Sequence, residues 1–96
     1  MLWTDAMTEK ITIRAKIYME FKTGYVVISK AGRDKGYFMA VVGIEKDFLI
    51  VADGKERPLE RPKRKNPKHL QKTNYKVDLE QLTDKKLRTF LRSLSK

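Results

Sequence analysis

The sequence predicts a small, mainly β domain: a barrel of four or five short strands followed by one C-terminal α-helix. Short runs of β-branched and aromatic residues recur along the middle of the chain, and turn-forming residues separate them. From Leu79 onward the apolar residues recur at three- and four-residue spacing, which is the period of a helix. The length of 96 residues and the apolar fraction of 41% fit one folded domain.

The predicted strands follow one another closely. The first three are the apolar runs Tyr25 to Ile28, Tyr37 to Ile44 and Phe48 to Ala52. Asp53-Gly54 is a strong hairpin signal because both residues tolerate positive φ. We therefore expect a returning strand at Glu56 to Glu60, which Pro58 confines to an edge of the sheet. His69 to Thr73 is the last predicted strand. The alternation of apolar and polar residues predicts that most aromatic residues of the strands lie in the core.

The two ends of the chain carry different patterns. Residues 1–18 alternate like a strand around Ile11 to Ile17 but have no turn signal, so we expect a disordered N-terminal extension. The alternative is an additional strand. A further hypothesis is that Met19 is the true start of translation and that residues 1–18 are an upstream reading of the gene. We assign residues 19–75 to the barrel with its basic segment, and residues 76–96 to an amphipathic helix.

The predicted helix has recognisable capping residues. Thr83-Asp84 supplies an N-cap and an acidic residue in the first turn. A helix of about twelve residues is marginal on its own. We therefore expect its leucine and phenylalanine stripe to pack on the barrel, with binding to a partner protein as the alternative.

The basic residues are concentrated in one segment. The formal net charge of the chain is +10, and Arg61 to Lys72 holds six basic residues and no acidic one. Met19 to Glu60, by contrast, holds seven of each sign. Pro62 and Pro67 bracket the segment and favour extended backbone before them. Such a concentration is typical of a polyanion-binding surface, and a merely solvated charged segment is the alternative.

A second basic element lies between the first two predicted strands. Gly32 and Gly36 flank Arg33-Asp34-Lys35, and glycine allows left-handed backbone and close approach to a ligand. A tight loop from Lys30 to Lys35 would present cations and backbone amides to phosphates. The alternative is an ordinary hairpin tip.

Tyr25 to Ile50, with apolar runs on either side of this loop, resembles a KOW motif. The stretch from Val51 to Asn74 is similar to the continuation in the large-subunit ribosomal protein fourteen family of archaea and eukaryotes and its bacterial KOW relatives. The resemblance covers about Phe21 to Thr73 and implies an SH3-like barrel, with Gly36 in the place of a near-invariant glycine. It further implies a ribosomal or ribosome-associated protein that binds RNA, with ribosomal RNA as the expected partner and ribosomal proteins as further partners.

Taken together, the two basic elements and the residues beside them predict an RNA-binding surface. Arginine is the best candidate for bidentate phosphate contacts, and Tyr37 is weighed both as a core residue and as a ring that stacks a base. The predicted RNA-binding residues are Lys30, Arg33, Lys35, Gly36, Tyr37, Arg57, Arg61, Lys63, Arg64, Lys65, Lys68, His69 and Lys72.

Other classes of function lack support in the sequence. The chain has no cysteine and a single histidine, which excludes a disulfide framework and a Cys/His zinc site. It also lacks Walker, H-E-x-x-H and G-x-S-x-G motifs. We therefore predict a cytoplasmic, non-enzymatic protein without metal, cofactor, small-molecule substrate or membrane contact. The alternatives are a KOW module that docks proteins in a transcription or translation complex, and a duplex DNA-binding protein.

Overall fold

A computed structural model describes residues 21–94, which form a five-stranded antiparallel sheet and one C-terminal helix. The strands are β1 (Tyr25–Ser29), β2 (Phe38–Glu45), β3 (Phe48–Ala52), β4 (Lys63–Lys65) and β5 (Leu70–Lys76). A 3-10 turn, Pro67–His69, precedes β5, and α1 spans Asp84–Leu94. The mainly β class with a C-terminal helix is confirmed, whereas the predicted extension at residues 1–18 lies outside the described residues.

The sheet is strongly curled. Its strand order is β4-β3-β2-β1-β5, so β4 and β5 are the two edges, and residues 66–69 alone connect them. In a flat sheet the edges would be about 19 Å apart, too far for a short link that contains a 3-10 turn. The edges must therefore approach each other, although no ladder joins β4 to β5 within the described chain.

Alternation along the strands gives the sheet two apolar faces. One cluster joins side chains of four strands to Phe21, with Met39, Val41, Leu49 and Val51 fully buried. The neighbours of these residues along the strands point to the opposite face, where Val26, Ala40 and Ala52 contact the helix. Successive residues of a strand point to opposite sides, so these central strands have little polar surface.

The helix α1 covers the second face through Leu87 and Leu91, which are both buried. Thr83 caps it as predicted, because its hydroxyl accepts a hydrogen bond from the Lys86 amide at 3.2 Å. Leu79 and Leu82 belong to the apolar stripe but lie in the turn before the helix. The prediction that the stripe packs on the sheet is confirmed.

The returning strand predicted at Glu56 to Glu60 is wrong. Asp53 begins a turn instead, in which its carboxylate accepts hydrogen bonds from the amides of Lys55 and Arg57, both at 2.8 Å. The following amide of Leu59 donates to Asp84 Oδ1 at the start of α1. This stretch therefore fastens the helix to the sheet, and β3 pairs with the basic strand β4.

Gly54 is the tightest point of this junction. Its φ is +78°, and a Cβ atom there would lie 2.5 Å from the carbonyl oxygen of Asp84. Gly54→Ala is therefore expected to lower the free energy of unfolding by about 2–4 kcal/mol, from backbone strain and a clash with backbone. Gly32→Ala is the matched control, since Gly32 has a φ of +81° and open space around it, and should cost only about 1 kcal/mol. Urea denaturation measures both, and equal losses would contradict the close packing of α1 on this turn.

Candidate nucleic-acid interface

The basic loop between β1 and β2 is closed at its base by backbone hydrogen bonds. The amide of Gly36 donates to Ser29 O at 2.7 Å, and the amide of Ser29 donates to Tyr37 O at 3.0 Å. Gly36 has a φ of +89°, a left-handed conformation that glycine adopts without strain. The side chains of Lys30, Arg33 and Lys35 are all exposed on this closed loop.

The acidic residue of the loop turns inward. Asp34 is only 4% exposed, and its Oδ2 lies 3.5 Å from Lys63 Nζ and 3.7 Å from Lys65 Nζ. Both lysines belong to β4, inside the basic segment. Asp34 therefore joins the loop to the segment. Its negative charge is buried and paired with these lysines, so it does not reduce the positive charge of the exposed surface.

Lys65 completes this junction. It is 7% exposed, and its ammonium donates hydrogen bonds to Ser29 Oγ at 2.7 Å and to Ala31 O at 3.1 Å. Ser29 ends β1, which β3 and β2 separate from β4 in the sheet. In a flat sheet these strands would be about 14 Å apart, farther than a lysine side chain reaches. The Lys65 contacts therefore depend on the curl of the sheet.

A second connection joins the loop to the end of the basic segment. The amide of Lys30 donates to His69 O at 2.7 Å. Asn66 accepts the Lys68 amide at 2.9 Å through its side chain and so caps the 3-10 turn. The exposed side chains of Lys68 and His69 are consequently held beside the base of the loop.

Arg64 projects to the other side of β4 from its two lysine neighbours. Its guanidinium is 3.4 Å from Glu45 Oε1, and both side chains are more than half exposed. It also lies 5.3 Å from the centre of the Phe48 ring. An exposed ion pair of this kind contributes little, so the guanidinium can exchange Glu45 for a stronger acceptor such as phosphate.

Not every predicted residue belongs to the joined surface. Arg57 lies in the turn that fastens α1, and Arg61 is exposed in the loop before β4. Lys72 extends from the edge strand β5, where its ammonium is 5.1 Å from the centre of the Tyr25 ring. The described contacts connect none of these three to the loop, although Arg61 and Lys72 remain accessible to a ligand.

The inward orientation of Asp34 and Lys65 was not predicted from the sequence, and aromatic residues outside the core were not all recognised. Phe48 is 38% exposed, so its assignment to the core by alternation is wrong. Tyr37, which the sequence left open between a core residue and a stacking ring, is 59% exposed. The signal for Lys65 was present. In a strand, the side chains of Lys63 and Lys65 point to one side and that of Arg64 to the other. This alternation predicts an inward Lys65 only if residues 63–65 are recognised as a strand, and they were not.

Between residues 21 and 94, no three His, Asp or Glu side chains come together as a metal-binding group. None of the helical structure in that range has the length and apolarity that a membrane crossing requires.

Neither the protein-family models nor the curated protein sequences match this chain. The KOW resemblance rests on the residues of Tyr25 to Ile50 and Val51 to Asn74.

Proposed function

We propose that this protein binds structured RNA, with ribosomal RNA as its partner, and acts as a ribosomal or ribosome-associated protein. The observation that carries the proposal is the junction between the two basic elements. Asp34 and Lys65 hold the Lys30–Lys35 loop against β4, so cations that are distant in sequence are presented by one rigid unit. A rigid basic surface loses less conformational entropy on binding than a basic tail does.

The proposed fold is an SH3-like barrel of the KOW type. Two features of the described chain support it: the short link between the edge strands, and the reach of Lys65 across the sheet to Ser29. Gly36 stands in the place of the near-invariant glycine of that motif, and its positive φ is a conformation that glycine adopts without strain.

The proposed chemistry is recognition of phosphates. Three cations on the loop, Lys30, Arg33 and Lys35, are exposed, and so are Arg61, Arg64, Lys68 and Lys72 on the segment. Like charges on one small domain repel one another, and a bound polyanion removes that repulsion while its counterions are released. Arg61 and Arg64 can each contact two phosphate oxygens, which a lysine cannot do. Lys65 is not part of this surface because its ammonium is buried.

The packing of α1 favours this proposal over a protein-docking module. Docking through the helix requires an accessible apolar face, but Leu87 and Leu91 are buried against the sheet. The residues that α1 leaves exposed are mainly charged or polar.

A salt titration tests the proposal directly. If about five phosphates are neutralised, the plot of log affinity for a folded ribosomal RNA fragment against log salt should have a slope near −4. Fluorescence anisotropy between about 50 and 300 mM salt measures it, with a duplex DNA of equal charge as the competitor. A slope near zero would contradict phosphate recognition, and stronger binding to the DNA would contradict RNA as the partner.

The ribosomal assignment has a separate test. Crosslinking in cells, followed by sequencing of the bound RNA, should give a discrete footprint on ribosomal RNA. Crosslinks spread over messenger RNA without such a footprint would leave RNA binding intact and contradict the ribosomal role.

A further inference from the structure

A groove lies on the side of the sheet that α1 covers, next to the basic loop. It holds about 290 Å³ between the start of β2, the turn that Asp53 begins, and α1. Tyr37, Phe38 and Leu91 form its apolar part, whereas Lys55, Glu56 and Arg92 are charged residues along its lining. None of these residues is needed for the phosphate surface proposed above.

Tyr37 gives the groove an exposed aromatic ring. The residue is 59% exposed even though its amide is fixed by a 2.9 Å hydrogen bond to Asp34 O. Its backbone is therefore held while its ring faces solvent. Phe38 follows directly and packs edge-on against Tyr75, with ring centres 6.5 Å apart. An aromatic ring on a fixed backbone is the kind of platform on which an unpaired base stacks.

The charged residues of the groove can bind the polar groups of a nucleotide. Arg92 and Lys55 are exposed, and neither forms an ion pair within the described chain. Arg88 is already engaged, because its guanidinium donates to Gly54 O at 3.0 Å. Asp53 is engaged as well, since its Oδ1 accepts two backbone amides. The accessible charges are thus two cations, suited to a phosphate, and the Glu56 carboxylate, suited to an amino group or a ribose hydroxyl.

We infer that this groove binds one unpaired nucleotide of the RNA, with its base stacked on Tyr37 and its phosphate held by Arg92 and Lys55. The inference rests on the proposed function. It adds that the bound RNA has an unpaired nucleotide next to the structured part that the basic loop contacts. The volume is at the lower limit for a small-molecule site and suits one nucleotide. Tyr37 comes directly after the basic loop, so a strand that crosses the loop would reach the groove next.

The test compares two RNA hairpins that differ in one feature. One has blunt ends, and the other carries a three-nucleotide single-stranded overhang that begins with 2-aminopurine. The wild-type full chain is expected to bind the overhang hairpin about tenfold more tightly, which is within the range for stacking of one base. The 2-aminopurine fluorescence should fall on binding, because stacking on a ring quenches it.

Variants separate the groove from the phosphate surface. Tyr37→Leu and Arg92→Gln should reduce the tenfold ratio to about one or two, and Tyr37→Trp should restore it. Lys85→Gln is the matched control for Arg92→Gln, since Lys85 is exposed on the same helix and does not line the groove. Arg64→Gln should weaken binding of both hairpins and leave their ratio near ten. Circular dichroism melting confirms that each variant is folded.

The possible results distinguish the inference from the function on which it rests. If the wild type binds neither hairpin, both the proposed function and the inference fail. If it binds both equally, or if the ratio survives in folded Tyr37→Leu, the inference alone fails. A poly-glutamate peptide with the same charge as the hairpin is then added as a competitor. If the 2-aminopurine fluorescence recovers while the hairpin stays bound to the protein, the groove prefers an acidic polypeptide and the inference is overturned.

Discussion

Asp34→Ala is expected to lower the free energy of unfolding by about 3 kcal/mol. The substitution leaves Lys65 buried without its counter-charge, and removal of one partner from a buried ion pair typically costs 3–5 kcal/mol. The lower end of this range applies because Lys65 keeps its hydrogen bonds to Ser29 and Ala31. A domain of this size has little stability to spare, so the urea midpoint should fall clearly.

The two lysines that contact Asp34 provide a matched comparison. Lys65→Met should cost about 2 kcal/mol, because the buried carboxylate of Asp34 then keeps only the partly exposed Lys63 as its counter-charge. Lys63→Met should cost less than about 1 kcal/mol, since the Lys63 side chain is 36% exposed. The double variant Asp34→Asn with Lys65→Met should lose less than the sum of the single changes. Equal losses for the two lysine variants would contradict Lys65 as the buried partner in this junction.

Substitution of Arg61, Arg64 and Lys68 together by alanine is expected to weaken binding of folded RNA by at least about 100-fold at physiological salt. Each removed side chain takes away a charge-assisted contact to phosphate, and such contacts are among the stronger hydrogen bonds. The salt slope should change from about −4 to about −2, because three fewer counterions are released. Fluorescence anisotropy with the salt titration described above measures both quantities.

The control for this triple variant removes the same charge elsewhere. Lys22, Lys85 and Lys86 are exposed and lie outside the two basic elements. Their joint replacement by alanine should change RNA affinity by only a few-fold through the overall field of the protein. If the two triple variants lost the same affinity, binding would depend on total charge alone, and the proposed surface would be wrong.

Much of the fold follows from local patterns in the sequence. β1, β2 and β3 are found within one residue of their predicted limits, because each is a short apolar run with turn residues beside it. Thr83 was recognisable as a helix cap, and the leucine stripe as the buried side of α1. The failure at Glu56 to Glu60 has a physical cause: Asp53-Gly54 forms a turn that the helix stabilises, and that interaction is distant in sequence.

The same distinction applies to the candidate site. The charged residues, the six basic residues within Arg61 to Lys72 and the glycines beside the neighbouring loop can all be recognised in the sequence. Which of these charges face solvent depends on the tertiary structure. Burial and pairing of Asp34 and Lys65 require the curl of the sheet, which brings β4 to the end of β1 across two intervening strands. Charge is a property of each side chain, whereas exposure depends on contacts between residues 34 and 36 positions apart.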